Sequence, residues 1–185
     1  MTGVKFPTAA ELEAAIDLVR KSPSDRGVLE LIVRRPRSGE RELIDQGELD
    51  LARGLVGDNW STRGCRLTAD GTAHLDMQLT IMNSRAVGLV AGQKDRWPLA
   101  GDQFYIDLDI SQDNLPPGAR LAIGSAVVEV TDQPHTGCQQ FAGHFGRDAV
   151  KFVNSPEGKK LRLRGLNAKI VRAGTVSVGD VARKL

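Results

Sequence analysis

What most constrains this chain is a series of short segments in which apolar and polar residues alternate, separated by glycine and aspartate. Alternation with a period of two belongs to strands that bury one face. Leu75, Met77, Leu79 and Ile81 alternate with Asp76, Gln78 and Thr80, the clearest such run. Phe104, Ile106, Leu108 and Ile110 alternate with Tyr105, Asp107 and Asp109. Val28–Arg34 reads the same way, as does Arg120–Thr131, which Gly124 divides. Lys160–Arg164 alternates cation and leucine. Ala168, Ile170 and Arg172 lead a last strand pair, with turns near Gly174 and at Gly179-Asp180. Many short strands with few helices between them predict a barrel or folded sheet, mostly β (α+β), and not a doubly wound parallel sheet.

The helical signals are fewer. Thr8 precedes Glu11 by three residues, a reciprocal capping pattern, and Leu12, Ile16 and Val19 follow at helical spacing. This helix should stop near Ser22-Pro23, because the residue before proline avoids the helical region. Ser84 is placed to cap a short helix running to Ala91. Gly47–Gly54 suggests a helical turn, and Gly57-Asp58 a turn. Gln139–Val153 reads as a helix carrying Phe141, Phe145, Val150 and Phe152, although Gly143 and Gly146 weaken it. The 185 residues suit a helical arm over residues 1–26 and one β domain over residues 27–185.

No apolar run approaches the ~20 residues of a membrane span. The N-terminus becomes acidic and polar too early for a signal peptide, so a cytoplasmic location is expected. A net charge of +2 gives no global attraction to nucleic acid or membrane. Aromatic residues at 4% supply few stacking platforms for RNA. The C-terminal third is locally basic, with Arg147, Lys151, Lys159, Lys160, Arg162, Arg164, Lys169 and Arg172. That field suits a small anion such as phosphate. For Lys159–Arg164 the default is a solvated face, and the functional reading is a phosphate clamp.

Cys138 is the best candidate for chemistry. It follows Gly137 on a polar loop, Asp132–Cys138, that leaves a strong strand and enters the predicted helix. A thiol at a helix N-terminus meets a positive dipole end and free N–H groups, both of which favour thiolate. His135, three residues upstream, can tune that thiol or act as acid or base, and Thr136 can donate a hydrogen bond. Such a thiolate could attack an electrophilic sulfur, carry a persulfide or bind a soft metal. The plain alternative is a small buried side chain. His135, Cys138 and His144 together match no standard zinc spacing. Cys65 carries no mark of reactivity, and with two cysteines and no CxxC a structural disulfide or Cys-rich zinc site is not expected.

Three stretches resemble the MOSC family, the domain found at the C-terminus of molybdenum-cofactor sulfurases and as small stand-alone bacterial proteins. Gly54-Leu55-Val56-Gly57-Asp58 is similar to an early "GL-x-GD". Trp97–Phe104 through Leu121-Ala122-Ile123-Gly124 is similar to "PG-x-x-GENL … L-x-IG". Ala126–Cys138 is similar to the strand and "V-x-Q-PR-x-PC" that end at the family's hallmark cysteine. The similarity spans residues 27 to 182. Asp102-Gln103 stands where many members have Glu-Asn, His135 where Arg is common, and Gly137 where Pro is.

The resemblance implies a MOSC-type β-barrel with a few short helices and an added N-terminal helix. It further implies sulfur carriage through Cys138, with His135 as its catalytic partner, for molybdenum-cofactor or other metal–sulfur chemistry. The sulfur would come from a separate donor such as a pyridoxal-phosphate cysteine desulfurase, since no pyridoxal-phosphate site is evident in this chain. Alternatively the domain binds molybdopterin as part of an oxidoreductase acting on N-hydroxylated compounds, with Cys138 as molybdenum ligand. Asp58, Arg85, Asp102, Gln103, Thr136, Arg147 and Lys151 are the candidate cofactor contacts. A third alternative is a non-enzymatic small-anion module with a vestigial site. Neither nucleic acid nor membrane is expected as partner, and the protein should be a monomer or homodimer.

Overall fold

The computed structural model describes residues 5–185. Helix α1 (Ala9–Arg20) opens with the anticipated capping box, Thr8 accepting from the Glu11 N–H while Glu11 accepts from the Thr8 N–H. The strands follow: β1 (Arg26–Arg34), β2 (Glu42–Ile44), β3 (Gln46–Asp50), β4 (Gly54–Leu55), β5 (Leu79–Asn83), β6 (Phe104–Asp107), β7 (Arg120–Ile123), β8 (Ala126–Val130), β9 (Leu166–Arg172), β10 (Gly174–Ser177) and β11 (Val181–Lys184). Helix α2 (Ser84–Ala91) joins β5 to β6, while α3 (Gln139–Phe145), α4 (Arg147–Asn154) and α5 (Pro156–Lys160) lie between β8 and β9.

The main sheet runs β11-β7-β8-β9-β5-β6-β1-β2, and β11 also pairs with β1. That extra pairing closes β11, β7, β8, β9, β5, β6 and β1 into a seven-strand barrel and removes their open edges. Every barrel pairing is antiparallel except β5–β6. A small sheet, β10-β3-β4, packs beside it. The barrel is filled by Leu29, Ile32, Leu79, Ile81, Phe104, Ile106, Val128 and Ala168, among others. A second apolar layer lies outside the barrel, where Met82, Val33 and Tyr105 meet α1, α2, α3 and α4. Here α1, from the arm predicted over residues 1–26, lays down Leu12 and Val19.

These two layers explain where the strand reading shifts. β5 is buried at all five positions because the barrel covers one face and the helices the other. The run from Leu75 therefore does not continue as one strand: Leu75–Met77 is a 3-10 turn, and the strand starts at Leu79. Lys160–Arg164 is not a strand. Pro156 at the first turn and the Ser155 side chain, accepting from the Gly158 N–H at 2.9 Å, start α5, which unwinds to Gly165. Gly47–Gly54 is not helical either. It is β3, then a turn in which Asp50 Oδ1 accepts from the N–H groups of Ala52 and Arg53, then β4. Asn83, not Ser84, caps α2. The predicted helix over Gln139–Val153 breaks at Gly146, whose φ of 90° no helix accommodates. No helix among the described residues is long and apolar enough to cross a membrane.

Candidate functional site

Between β8 and α3 the chain runs without regular structure, and side chains hold it in place. Asn167 Nδ2 donates to the carbonyls of Gln133 (3.2 Å) and Pro134 (3.3 Å). Asn154, at the end of α4, clamps Gly137 from both sides: its Oδ1 accepts the Gly137 N–H and its Nδ2 donates to the Gly137 carbonyl, each at 2.9 Å. A Cβ at position 137 would lie 3.0 Å from Val153 Cγ2, so the glycine lets the chain pass close to α4. Cys138 is the N-cap of α3. Its carbonyl accepts from the Ala142 N–H, while its thiol makes no capping bond and is free and exposed. The plain alternative of a buried cysteine is thereby set aside. The break at Gly146 leaves α3 only seven residues, a shorter dipole than the sequence suggested.

His135 belongs to a cluster that joins distant segments. Its Nε2 lies 2.7 Å from Asp102 Oδ1 and 2.8 Å from Arg164 Nη1. Arg164 donates to Asp102 Oδ2 at 2.6 Å and to the Ala100 carbonyl at 2.8 Å, and its guanidinium lies 5.0 Å from the Phe141 ring. Burial, the largest influence on Asp102, acts to raise its carboxyl, but Arg164 and His135 outweigh it and hold the group below its ordinary value. Burial first, then the Arg164 charge, pulls His135 below its ordinary value of 6.5, and Asp102 only partly offsets this. A neutral ring protonated at Nε2 donates to Asp102, whereas one protonated at Nδ1 accepts from Arg164 Nη1 at Nε2. In either form Nδ1 has no hydrogen-bond partner among the described residues.

A second cluster mirrors the first. Asp58, fully buried, accepts from Arg35 Nε (2.8 Å), Arg35 Nη2 (2.9 Å) and the N–H groups of Arg35 and Trp60. Arg35 Nη1 reaches the Gly101 carbonyl at 2.9 Å. Gln103 accepts from the Thr80 N–H and hydroxyl and donates to the Gln78 carbonyl. Asp58, Asp102 and Gln103 thus lie behind the wall as struts, with their polar atoms engaged. What they present to a ligand is the pair of arginines they brace.

Those arginines open onto a cleft of about 320 Å³ whose lining includes Arg35, Arg41, Arg63, His135, Cys138 and Arg164, and no Asp or Glu among the described residues. Burial, and then the charge of Arg35, hold Arg41 and Arg63 below the usual guanidinium value, which leaves both charged at neutral pH. Arg63 makes no hydrogen bond or ion pair to a described side chain. Three residues of the lining carry a buried polar atom without a partner: Asn59 Oδ1, Asn167 Oδ1 and Arg164 Nε. Buried orphans of this kind call for an explanation, and a seated ligand is one. A wider cleft of about 680 Å³ lies across the Gln133–Thr136 segment, shares His135 and Arg164, and contains Thr136.

The other proposed contacts lie elsewhere. Arg85 forms a two-pronged pair with Asp107 (2.7 and 3.0 Å) and reaches the Leu18 carbonyl. Arg147 lines neither cleft, and Lys151 borders the groove between α1 and α4. The turn at Gly146 redirects the chain and carries α4 off toward α1. Arg164, read as one end of a solvated strand, is instead buried at the centre of the site. Arg35, Arg41 and Arg63 went unnoticed. The available signal is the dense run Arg34-Arg35-Pro36-Arg37 at the end of β1. Among the described residues no three His, Cys, Asp or Glu side chains are grouped to hold a metal.

The profile of the MOSC domain family matches residues 69–183. Among solved structures, the YuaD protein of Bacillus subtilis superposes with a TM-score of 0.63 at 15% identity, over 85% of this chain and 96% of that one. YiiM of Escherichia coli gives 0.55 at 18% identity, over 85% and 69%. YiiM of Geobacillus stearothermophilus gives 0.53 at 13%, over 89% and 74%. At such identities the likeness is one of fold. No curated protein matches this sequence.

Proposed function

The chain belongs to the MOSC domain family, and from that premise we propose that it is a sulfur carrier whose Cys138 accepts a sulfane sulfur and delivers it for molybdenum-cofactor or other metal–sulfur chemistry. One observation carries this reading. A free, exposed thiol shares its cleft with five guanidinium groups, those of Arg35, Arg37, Arg41, Arg63 and Arg164, and no carboxylate among the described residues. Exposure lets a donor protein reach the sulfur, and a cleft lined by cations and no carboxylate suits an anionic sulfur donor group. The Cys138 thiolate attacks the outer sulfur of a donor persulfide. A new S–S bond forms on Cys138, the donor's S–S bond breaks, and the donor leaves as a thiolate that takes up a proton. His135 lines the same cleft as Cys138 and is the candidate to accept its proton beforehand.

A second reading, a molybdopterin-binding oxidoreductase component, draws support from the orphaned atoms along the cleft. MOSC domains are associated with the molybdenum cofactor, and the donor set fits it. Arg35, Arg41 and Arg63 would hold its phosphate, Asn59 and Asn167 would accept its N–H groups, and Cys138 would face the metal. When bound, the molybdenum centre supplies redox chemistry. The chain's own part is to fix the anion, exclude water and hold the neutral His135 beside it.

One preparation separates the readings. Protein from a host that makes the cofactor is analysed for molybdenum and pterin, then mixed with a cysteine desulfurase and cysteine and weighed intact. The carrier reading expects a mass gain of one sulfur on Cys138, absent from Cys138→Ser. No gain with several competent desulfurases, together with stoichiometric molybdenum and pterin, overturns it in favour of the second reading.

A further inference from the structure

Resting on the carrier reading, we propose that the same cleft takes its sulfur directly from a small dianion bearing a sulfane sulfur, of which thiosulfate is the simplest, so that the chain is a thiosulfate:thiol sulfurtransferase in its own right. The argument starts from charge. A protein donor brings its own persulfide, so five guanidinium groups around a recess exceed what docking such a donor requires. Arg35 is braced by Asp58, and Arg164 by Asp102, which fixes both cations in place. Arg41 donates from Nε to the Pro98 carbonyl and from Nη1 to the Glu40 carbonyl, which leaves Nη2 free of any described carboxylate. Arg63 makes no bond to a described side chain, and Arg164, itself more than nine-tenths buried, keeps an Nε without an acceptor. Arginines left with donor capacity around a recess are built for an oxyanion, and a planar guanidinium matches two oxygens of a sulfonate as it does those of a phosphate.

The chemistry needs those cations for three reasons. A thiolate and a dianion repel each other, and fixed positive charge removes that barrier to their approach. The three oxygens, held by arginine, turn the sulfane sulfur outward toward the thiol, so that binding also orients the reaction. The departing sulfite gathers negative charge in the transition state, where preorganised donors act most strongly. The step balances. The Cys138 thiolate attacks the sulfane sulfur of thiosulfate, the Cys138 S–S bond forms and the thiosulfate S–S bond breaks. Sulfite leaves with the electron pair, and the total charge of minus three is unchanged. No further oxidant or reductant enters.

The test uses the full chain with thiosulfate alone, and follows sulfite release and the intact mass of Cys138. One sulfur should load per chain with one sulfite released, and added sulfate should compete. The double variant Arg41→Gln/Arg63→Gln should lose about tenfold or more in kcat/KM for thiosulfate, since each removes a charge-assisted contact to the anion. Its loading by a cysteine desulfurase should fall by a clearly smaller factor, because that donor brings no sulfonate for the two arginines to seat. Desulfurase loading also shows that the variant has folded. Wild-type protein that loads from the desulfurase but not from thiosulfate overturns this proposal and leaves the carrier reading standing. Equal thiosulfate rates in wild type and double variant overturn the assigned role of the arginines. Failure to load from either donor sinks the carrier reading itself.

Discussion

At Asp102 two opposed effects meet, and their balance sets the protonation of the site. Burial favours the acid, while the charge of Arg164, the His135 ring once acid has protonated it, and the hydrogen bonds of both favour the carboxylate and prevail. His135 is pulled the other way, since burial and the same Arg164 charge both disfavour the imidazolium. The two depressed values act on stability with the same sign. Asp102 contributes fully above the ordinary 3.8 of a free aspartate, and its contribution is lost as pH falls through the lower folded value. His135, below its ordinary 6.5 when folded, favours the native state fully above that pH and progressively less below it. Melting temperature should therefore fall on acidification from roughly pH 7 to 5, a window in which few other side chains titrate. His135→Gln, which cannot titrate, should flatten that limb. Calorimetric scans across the window check this, and identical slopes in the two proteins would show that His135 is not held neutral. The same residue accounts for a departure from the family pattern. His135 stands where Arg is common, yet Arg164 Nη1 lies 2.8 Å from its ring, so a guanidinium occupies the neighbourhood after all, supplied from another part of the chain.

Among the elements, α4 matters for a residue at its end. Asn154 forms with Gly137 a pair of bonds like those between two strands, and this fixes the backbone one residue before the thiol. Asn154→Ala removes both bonds and leaves the Gly137 N–H without its acceptor. Hydrogen exchange at residues 135–138 should quicken, while exchange in the barrel strands stays unchanged, since the clamp is local. Unaltered exchange in that segment would mean that Asn167 alone holds the loop. None of this clamp was legible in the sequence, because an asparagine seventeen positions from its partner carries no periodic signal. The elements themselves were more legible. Capping at Thr8 and alternation around Val128 gave α1 and β8 close to their observed bounds, since those signals are local, whereas β6 ends at Asp107, short of the alternating run to Ile110. The errors fell at turns. Leu75–Met77 alternates as a strand would, but turns as a 3-10 helix because His74 Nδ1 accepts from the Asp76 N–H. Arg162, with a φ of 50°, sits in a turn that no pattern of leucines and cations announces.

At the scale of the whole molecule, the thiol cleft exists only because the barrel closes. Its walls come from the β1–β2 connection, residues 59–63, the turn at 99–101, the stretch around 135–141 and the stretch at 164–167. The hallmark cysteine was readable in the sequence. The arginines opposite it were not, because their convergence is a property of the barrel and not of any one segment. Closure depends on β1 lying between β11 and β6, with Gly27 opposite Ala182 on β11. A Cβ on residue 27 would sit 2.2 Å from the Asp107 carbonyl oxygen on β6, which is backbone and cannot swing aside. Gly27→Ala must therefore push β1 away from its neighbour at the seam. We expect a cost of about 1–3 kcal/mol or more, as for overpacked cores. For a chain of this size that corresponds to roughly 2–4 °C in Tm for each kcal/mol. Gly143→Ala is the matched comparison. It lies within α3, with nothing within 4 Å of the added methyl and no left-handed backbone to strain. Helix propensity predicts that this change is neutral, or stabilising by up to about 1 kcal/mol. Urea titrations of the two variants decide the matter, because both add the same methyl to the same residue type. Were Gly27→Ala to prove as mild as Gly143→Ala, the β1–β6 contact would not be tight, and the seam could not be what holds the cleft walls in register.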